Sequence, residues 1–282
     1  MFCITTTAPT YPKDLLRLAD PPLRLYTRGS LDILRQRPRI GVVGSRRMSD
    51  YGKRVLETFI PYLVSYGCCI VSGLAFGVDV TAHTLTLDSS GITIAVLGSG
   101  IELITPRAHE HIGQKIEKTG LIISETPGRT PAGKYTFPAR NRIIAALSDI
   151  LIVVEGTRAS GSLITADFML QLGKDIYAVP GNIDAPLAQG PNFLIAHGAQ
   201  PLLSVDDLAA TLGFDKHPEH QVLSDVSAEE LAVLTLLAEH PTSVDDLCVR
   251  CTLPTHVVSA TLTALELKGV ITRSSTGLIS KR

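Results

Sequence analysis

The chain has 282 residues, 45% of them hydrophobic, and a formal net charge of -1, which allows one large core and a second small domain but is too balanced for bulk charge to name a partner. No apolar stretch is long enough to cross a bilayer, and none reads as a secretory signal. Five cysteines in a chain this long do not indicate a disulfide framework, so a reducing cytoplasm is the expected location.

Residues 1–38 are rich in Pro, Leu and Arg without steady periodicity, and read as an N-terminal extension packed on the main domain. A regular alternation then begins. Arg39–Gly44 is a buried strand, and Tyr51–Tyr66 has helical spacing, with Ser49 or Asp50 as its N-cap and Gly67 past its end. Cys68–Ser72 is a second strand and Phe76–Leu87 a helix. Ile92–Leu97 is a third strand, followed by a helix over Ala108–Lys118. Leu121–Ser124 is a fourth strand. Ile143–Leu147 is an apolar run of helical character. Ile150–Val154 is a fifth strand, Gly161–Leu172 a helix and Asp175–Val179 a sixth strand. Strands that read as unbroken apolar runs, alternating with helices, predict an α/β fold: a doubly wound, mostly parallel, Rossmann-like sheet covered on both faces. Val205–Leu212 closes this domain, which spans 39–212.

Residues 213–224 are polar and aperiodic and read as a linker. From 225 to 282 the pattern changes to three helices (Ala228–Glu239, Val244–Cys251, Thr255–Lys268) and a hairpin (Gly269–Arg273 and Leu278–Ser280, turning around Ser274–Gly277). That is the layout of a small winged-helix domain. Its third helix carries only His256 and Lys268 as possible cations, where a duplex-reading helix needs Arg, Lys, Asn or Gln. The module therefore suits contact with protein better than duplex reading. Cys248 and Cys251, near His240 and His256, form a conceivable zinc site, but an isolated C-x-x-C on a short helix favours packing. Cys68 and Cys69 read as core residues. No metal and no cofactor is expected.

Charge is unevenly spread. Residues 1–54 hold eleven Lys/Arg against four Asp/Glu, and residues 175–282 hold six against thirteen. The asymmetry points to a polyanion site built partly from the N-terminal third. In an open parallel sheet, ligands bind at the carboxyl ends of the strands. Those ends are Gly44-Ser-Arg-Arg47, Ser72–Gly77, Gly98-Ser-Gly100, Ser124-Glu125 and Glu155–Ser162. Small residues there expose backbone N–H groups at helix starts. Ser45, Ser72, Ser160 and Ser162 add hydroxyls and Gly161 exposed backbone, while Arg46, Arg47 and Arg158 add charge. The segment Phe137-Pro-Ala-Arg-Asn-Arg142, with Lys134 and Tyr135 upstream, interleaves cations and rings. Arg140 and Arg142 offer planar donor forks, and Phe137 offers a stacking face, the chemistry of a single-stranded nucleic-acid groove.

Enzymatic readings lack their residues. The first turn is not G-x-G-x-x-G, no acid ends the second strand, and no P-loop is present. His83, His109 and His111 suit core or solvated roles. Glu125 and Glu155 are the carboxylates at strand ends; they can serve acid–base chemistry or, as favoured here, pin neighbouring arginines. A nucleoside-monophosphate phosphoribohydrolase on a related fold is the alternative, but the glycine-rich turn carrying its catalytic Glu is missing. A winged-helix transcription regulator is disfavoured by the third helix.

These motifs, in order, resemble the DNA-processing protein A (DprA/Smf) family. They are Gly44-Ser-Arg with Ser49 and Tyr51-Gly52; Ser72–Asp79 with Ala82-His83; Ser124–Gly128, Pro131 and Phe137–Arg142; Val154-Glu155 with Ser160–Thr165; Ala178–Gly181; and Asn192 with Ile195 and Gly198-Ala199. After Gly98-Ser-Gly100 the family pattern lapses, since Thr105–His109 replaces its Tyr-Pro-x-x-Asn. The resemblance implies a non-enzymatic, homodimeric protein that binds single-stranded DNA without sequence preference and helps load RecA. Carried onto this chain, the site would include Arg46 on phosphate, Lys134 as a second cation, and Phe137 and Arg140 shaping the groove and contacting bases. Arg142 and Arg158 would complete it.

Overall fold

The computed structural model describes residues 2–133, 135–214, 227–237, 242–251, 253–267, 270–274 and 278–281. The chain divides into two compact units, residues 1–215 and 216–282.

Among the described residues of the first unit, nine strands form one sheet: β1 (Phe2–Thr5), β2 (Arg24–Gly29), β3 (Arg39–Val43), β4 (Cys69–Ser72), β5 (Ile92–Leu97), β6 (Leu121–Ser124), β7 (Ile150–Val153), β8 (Ile176–Ala178) and β9 (Gln200–Pro201). Their order is β1-β2-β6-β5-β4-β3-β7-β8-β9. From β6 to β9 all pairings are parallel, while β1 and β2 add on antiparallel. The N-terminal segment therefore contributes two sheet strands, which its aperiodic sequence did not reveal. It is also tied down by charge. Arg39, fully buried at the start of β3, donates to Asp14, and Asp149 accepts from the Arg39 backbone N–H at 2.7 Å. Arg37 bridges the same two acids.

Among the described residues, seven α-helices cover the sheet: α1 (Asp50–Ser65), α2 (Val78–Asp88), α3 (Glu110–Thr119), α4 (Thr136–Leu147), α5 (Gly161–Gln171), α6 (Gln189–Ala196) and α7 (Val205–Thr211). Successive strand residues serve opposite faces. Val43, Val71, Val96 and Val153 pack with Ile143, Ala146, Ala166 and Met169 of α4 and α5. Val42, Ile70 and Ile152 pack with Leu56, Ile60, Val78 and Leu208 of α1, α2 and α7. Ala95, Leu97 and Ile122 pack with Ile112 and Ile116 of α3. Cys68 and Cys69 are buried in these cores, and burial pushes both thiols up to about 12.

The strand order fixes where a ligand can sit. From β3 the chain winds outward through β4, β5 and β6, then crosses back to β7 beside β3 and winds the other way. The loops leaving β3 and β7 part at that reversal and leave a crevice.

The second unit holds α8 (Ala228–Leu237), α9 (Val244–Arg250), α10 (Thr255–Leu267), β10 (Ile271–Arg273) and β11 (Ile279–Lys281), with β10 and β11 antiparallel. Val233, Leu247, Cys251, Val258, Leu262 and Ile279 are in its core. The exposed positions of α10 are Thr255, His256, Ser259, Ala260, Thr263 and Glu266, with no Arg, Lys, Asn or Gln among them. Burial raises the Cys251 thiol. No group of three or more His, Cys, Asp or Glu placed to hold a metal occurs among the described residues; His240 lies outside them. The expected 213–224 linker also lies mostly outside them. No described helix is long and apolar enough to cross a membrane.

Candidate nucleic-acid interface

A cavity of about 230 Å³ opens at the carboxyl ends of β3 and β4, between the starts of α4 and α5. Its walls include Gly44, Arg46, Asp79, Phe137, Arg140, Asn141 and Ser160–Ser162. Six of the residues singled out from sequence are thus brought together: Arg46, Phe137, Arg140, Ser160, Gly161 and Ser162. Ser45, Arg47, Arg142 and Arg158 stand outside its wall, and Lys134 lies outside the described residues.

The loops are shaped by their own polar groups. Gly77, at φ +72°, lets the loop before α2 press against the loop after β3; a Cβ there would meet the Ser45 carbonyl oxygen at 2.2 Å. Ser45 Oγ accepts from the Arg47 backbone N–H at 3.0 Å. Ser160 caps α5, its hydroxyl accepting from the Ser162 N–H at 3.3 Å and lying 2.8 Å from the Ser162 hydroxyl. Ser72, expected to offer a hydroxyl to an anion, is fully buried and donates to the Val42 carbonyl at 2.7 Å. The Leu163 N–H is also taken up, by the Ser160 carbonyl at 3.1 Å, and the start of α5 brings Ser160, Gly161 and Ser162 to the cavity wall, where a helix start favours negative charge.

The Phe137–Arg142 segment is not a loop ahead of a helix. It forms the first two turns of α4, and Pro138 fits there because first-turn N–H groups have no intrahelical partner. This sorts its side chains by helical position. Phe137 faces the cavity and packs on Gly98, where an added Cβ would lie 3.0 Å from the ring. Arg140 turns inward and is 6% exposed. Its Nη1 donates to the Gly73 carbonyl at 2.6 Å and to the Val96 carbonyl, and its Nε to Asn141 Oδ1 at 3.1 Å. A Cβ on Gly73 would meet that guanidinium at 2.1 Å. Arg142, also buried, makes a two-pronged pair with Glu125 at 2.7 and 2.8 Å. Asn141 holds the start of α5, donating to the Gly161 carbonyl at 3.1 Å. Tyr135 is 83% exposed and caps α4 outside the cavity wall.

Asp79, whose charge the sequence did not assign to this site, supports Arg140 from below and accepts from the Gly73 N–H at 3.1 Å. Burial raises the Asp79 carboxyl against the pull of Arg140. Burial also lowers the Arg140 guanidinium against the hold of Asp79, and nearby Arg46 adds like-charge repulsion. An acid in the first turn of a helix looks, in sequence, like an ordinary response to the helix dipole. Only the fold places it under an arginine from α4. Beneath both, His83 is fully buried with Nδ1 2.7 Å from Thr93 Oγ1; burial, then the charge of Arg140, pushes it down to about 3.

At the rim the arginines behave differently. Arg46 and Arg47 are exposed and have no acidic partner among the described residues. The Arg46 guanidinium carbon lies 4.8 Å from the Phe137 ring centroid, a cation–π arrangement. Glu155, expected near an arginine, instead accepts from the Ser49 N–H at 2.8 Å and from its hydroxyl. It thus sits as an acidic side chain at the start of α1, where Ser49 is the N-cap. Glu125 takes the expected role with Arg142. Asn192 and Gly181 are joined by two hydrogen bonds of 2.9 and 3.2 Å that shape the exit of β8.

The model of the family described as DNA recombination-mediator protein A matches residues 2–213, and that of the DprA winged helix domain matches residues 217–277. The chain is 37% identical to Protein Smf of Escherichia coli, over 96% of this chain and 75% of that one. It is 38% identical to the DNA processing protein DprA of Bacillus subtilis, over 78% and 72%. Among solved structures, DNA processing protein A of Streptococcus pneumoniae superposes with a TM-score of 0.71 at 39% identity, covering 76% of this chain and 75% of that one. DNA processing protein A of Helicobacter pylori, whose structure is described by its single-stranded DNA binding mode, superposes with a TM-score of 0.69 at 31% identity, covering 74% and 95%.

Proposed function

The chain belongs to the DNA recombination-mediator protein A family, and from that premise we propose that its strand-end cavity binds single-stranded DNA without base-sequence preference. The protein protects the strand and helps load RecA on it during transformation or recombination, acting as a homodimer in the cytoplasm and without catalysing a reaction. The observation that carries the reading is Arg46, exposed, free of any acidic partner among the described residues, and held over the Phe137 ring at the cavity mouth.

Each part of the cavity has a task in this reading. Arg46 neutralises a phosphate, assisted by Arg47 and by Lys134. The start of α5, with Ser160 and Gly161, receives a phosphate oxygen at the positive end of the helix. Phe137 meets a base face, which every base offers, so binding tolerates any sequence. Ser45 shapes the Arg46–Arg47 turn. Arg140 and Arg142 act from behind: Arg140 holds the loop after β4 and the end of β5, and Arg142 holds Glu125.

Fluorescence anisotropy of a labelled oligo-dT at several salt concentrations tests the reading. Single strands lose about 0.7 in the log–log salt slope per neutralised phosphate, so four contacts give a slope of about -3. Arg46→Ala should flatten it by one such step. Salt-independent binding, or none at low salt, rejects the site. Release of free base from AMP would instead identify a phosphoribohydrolase.

A further inference from the structure

A second arginine–ring pair stands on the same loop system. Arg158 lies in the loop from β7 to α5, exposed, with its guanidinium carbon 4.3 Å from the Phe193 ring centroid. It has no hydrogen bond or ion pair among the described residues. Phe193 belongs to α6, and its ring also meets the His197 imidazole at 4.0 Å between centroids. Phe193 is half-buried and His197 exposed.

The pairing is built into the backbone. The Gly156 N–H donates to the Leu187 carbonyl at 2.7 Å, and the Gly190 N–H returns to the Gly156 carbonyl at 2.8 Å. Gly190 is what lets α6 come this close, since a Cβ there would meet the Gly156 oxygen at 2.6 Å and the Thr157 oxygen at 3.0 Å. The loop carrying Arg158 is thereby stitched to the helix carrying Phe193. A long side chain that would otherwise sample many rotamers is held over a ring, with its donors open to solvent. Two residues on, Ser160 already lines the cavity. Two residues of chain span at most about 7 Å, roughly two stacked nucleotide steps of about 3.4 Å.

We infer that Arg158, backed by Phe193, is a second nucleotide subsite: the DNA strand leaves the cavity across the start of α5, and its next nucleotide lies on the Arg158 guanidinium. The inference rests on the single-strand reading above and adds to it a direction of travel and a positioning residue, Phe193. Because Arg158 and His197 already neighbour the Phe193 ring, the base meets the guanidinium plane, and the guanidinium edge meets a phosphate. Phe193 acts through Arg158. The same device thus occurs twice, Arg46 on Phe137 inside the cavity mouth and Arg158 on Phe193 beyond it.

The test uses the full chain and two labelled oligo-dT strands, one of about two nucleotides, too short to span from the cavity to Arg158, and one of about twenty, longer than known single-strand site sizes. Arg158→Ala and Phe193→Leu should weaken the long strand about 5- to 150-fold, the range expected for one lost stacking contact, and leave the short strand unchanged. Arg158→Ala should also lower the long-strand salt slope by about 0.7, whereas Arg158→Lys should keep the slope and still lose affinity. The Arg158→Ala/Phe193→Leu double variant should be no weaker than Arg158→Ala alone. Arg158 is an exposed loop residue, so its variants stand even if Phe193→Leu fails to fold. Arg46→Ala, run beside them, should weaken both lengths. If the wild-type chain binds and Arg46→Ala weakens it while both Arg158 variants match wild type at both lengths, the second subsite falls and the cavity reading survives. If Phe193→Leu and Arg158→Ala losses multiply, the ring does not act through Arg158. If the wild-type chain binds neither strand, both readings fall together.

Discussion

The floor and the rim of the cavity use the same residue type for opposite ends. On the floor, Arg140 is 6% exposed, donates to two carbonyls and lies beside the buried Asp79. At the rim, Arg46 and Arg158 are exposed, lack an acidic partner among the described residues, and are held by aromatic rings. A guanidinium taken out of water must have an acid and acceptors, or its burial costs several kcal/mol. A guanidinium meant for an external phosphate must not have them, because an internal carboxylate competes with the ligand. Rings resolve the second case, since they restrain the side chain without occupying its N–H groups.

The largest expected effect breaks the floor. Arg140→Met should cost about 3–5 kcal/mol of folding stability, because it strands a buried acid and two carbonyls. Asp79→Asn in the same chain should recover much of that loss. Chemical denaturation of the two single variants and the double variant measures the coupling. An Arg140→Met protein as stable as wild type but unable to bind DNA would move Arg140 to the rim and dissolve the distinction.

The rim should show the reverse: lost affinity without lost stability. Phe137→Ala should cost about 1–3 kcal/mol in oligo-dT binding if the ring stacks a base. Gly98→Ala, which crowds the ring at 3.0 Å, should weaken binding less, by shifting Phe137 rather than removing it. Phe137→Ala with unchanged affinity and a lowered unfolding midpoint would make Phe137 part of the floor.

Much of the scaffold was legible in the chain, and the reason is periodicity. Strands such as Ile92–Leu97 and Leu121–Ser124 are unbroken apolar runs, and Ser49 and Gly67 punctuate α1 as expected. The place of Arg46 in an exposed strand-end loop was legible too, since this topology opens its crevice at the carboxyl ends of the strands. The floor was not. Whether Arg140 points out or in depends on α4 beginning at Thr136, ahead of the apolar run that announces it. Its partners, Gly73, Val96 and Asp79, are 44 to 67 residues away along the chain. Likewise β1 and β2 gain their order from pairing across the sheet edge, and β9 is two residues long. Phe193 was passed over because a lone aromatic on a short helix carries no signal until the loop of Arg158 is laid against it.

Titration sharpens the boundary between a dry floor and a wet rim. His83 lies beneath Arg140, and burial holds it neutral down to about pH 3, against its ordinary value of 6.5. Its folded pKa is therefore below its unfolded one, so the unfolded chain binds the extra proton between those two values. Stability from this residue is complete above about pH 6.5 and is lost as pH falls toward 3, by up to about 1.4 kcal/mol per pH unit. Urea midpoints of wild type and His83→Gln across that window isolate the effect as a difference in slope, because other titrating groups are common to both proteins. The variant should show the shallower fall. Parallel slopes would mean that water reaches His83 in the folded chain, that its proton is gained without unfolding, and that the floor under Arg140 is as wet as the rim above it.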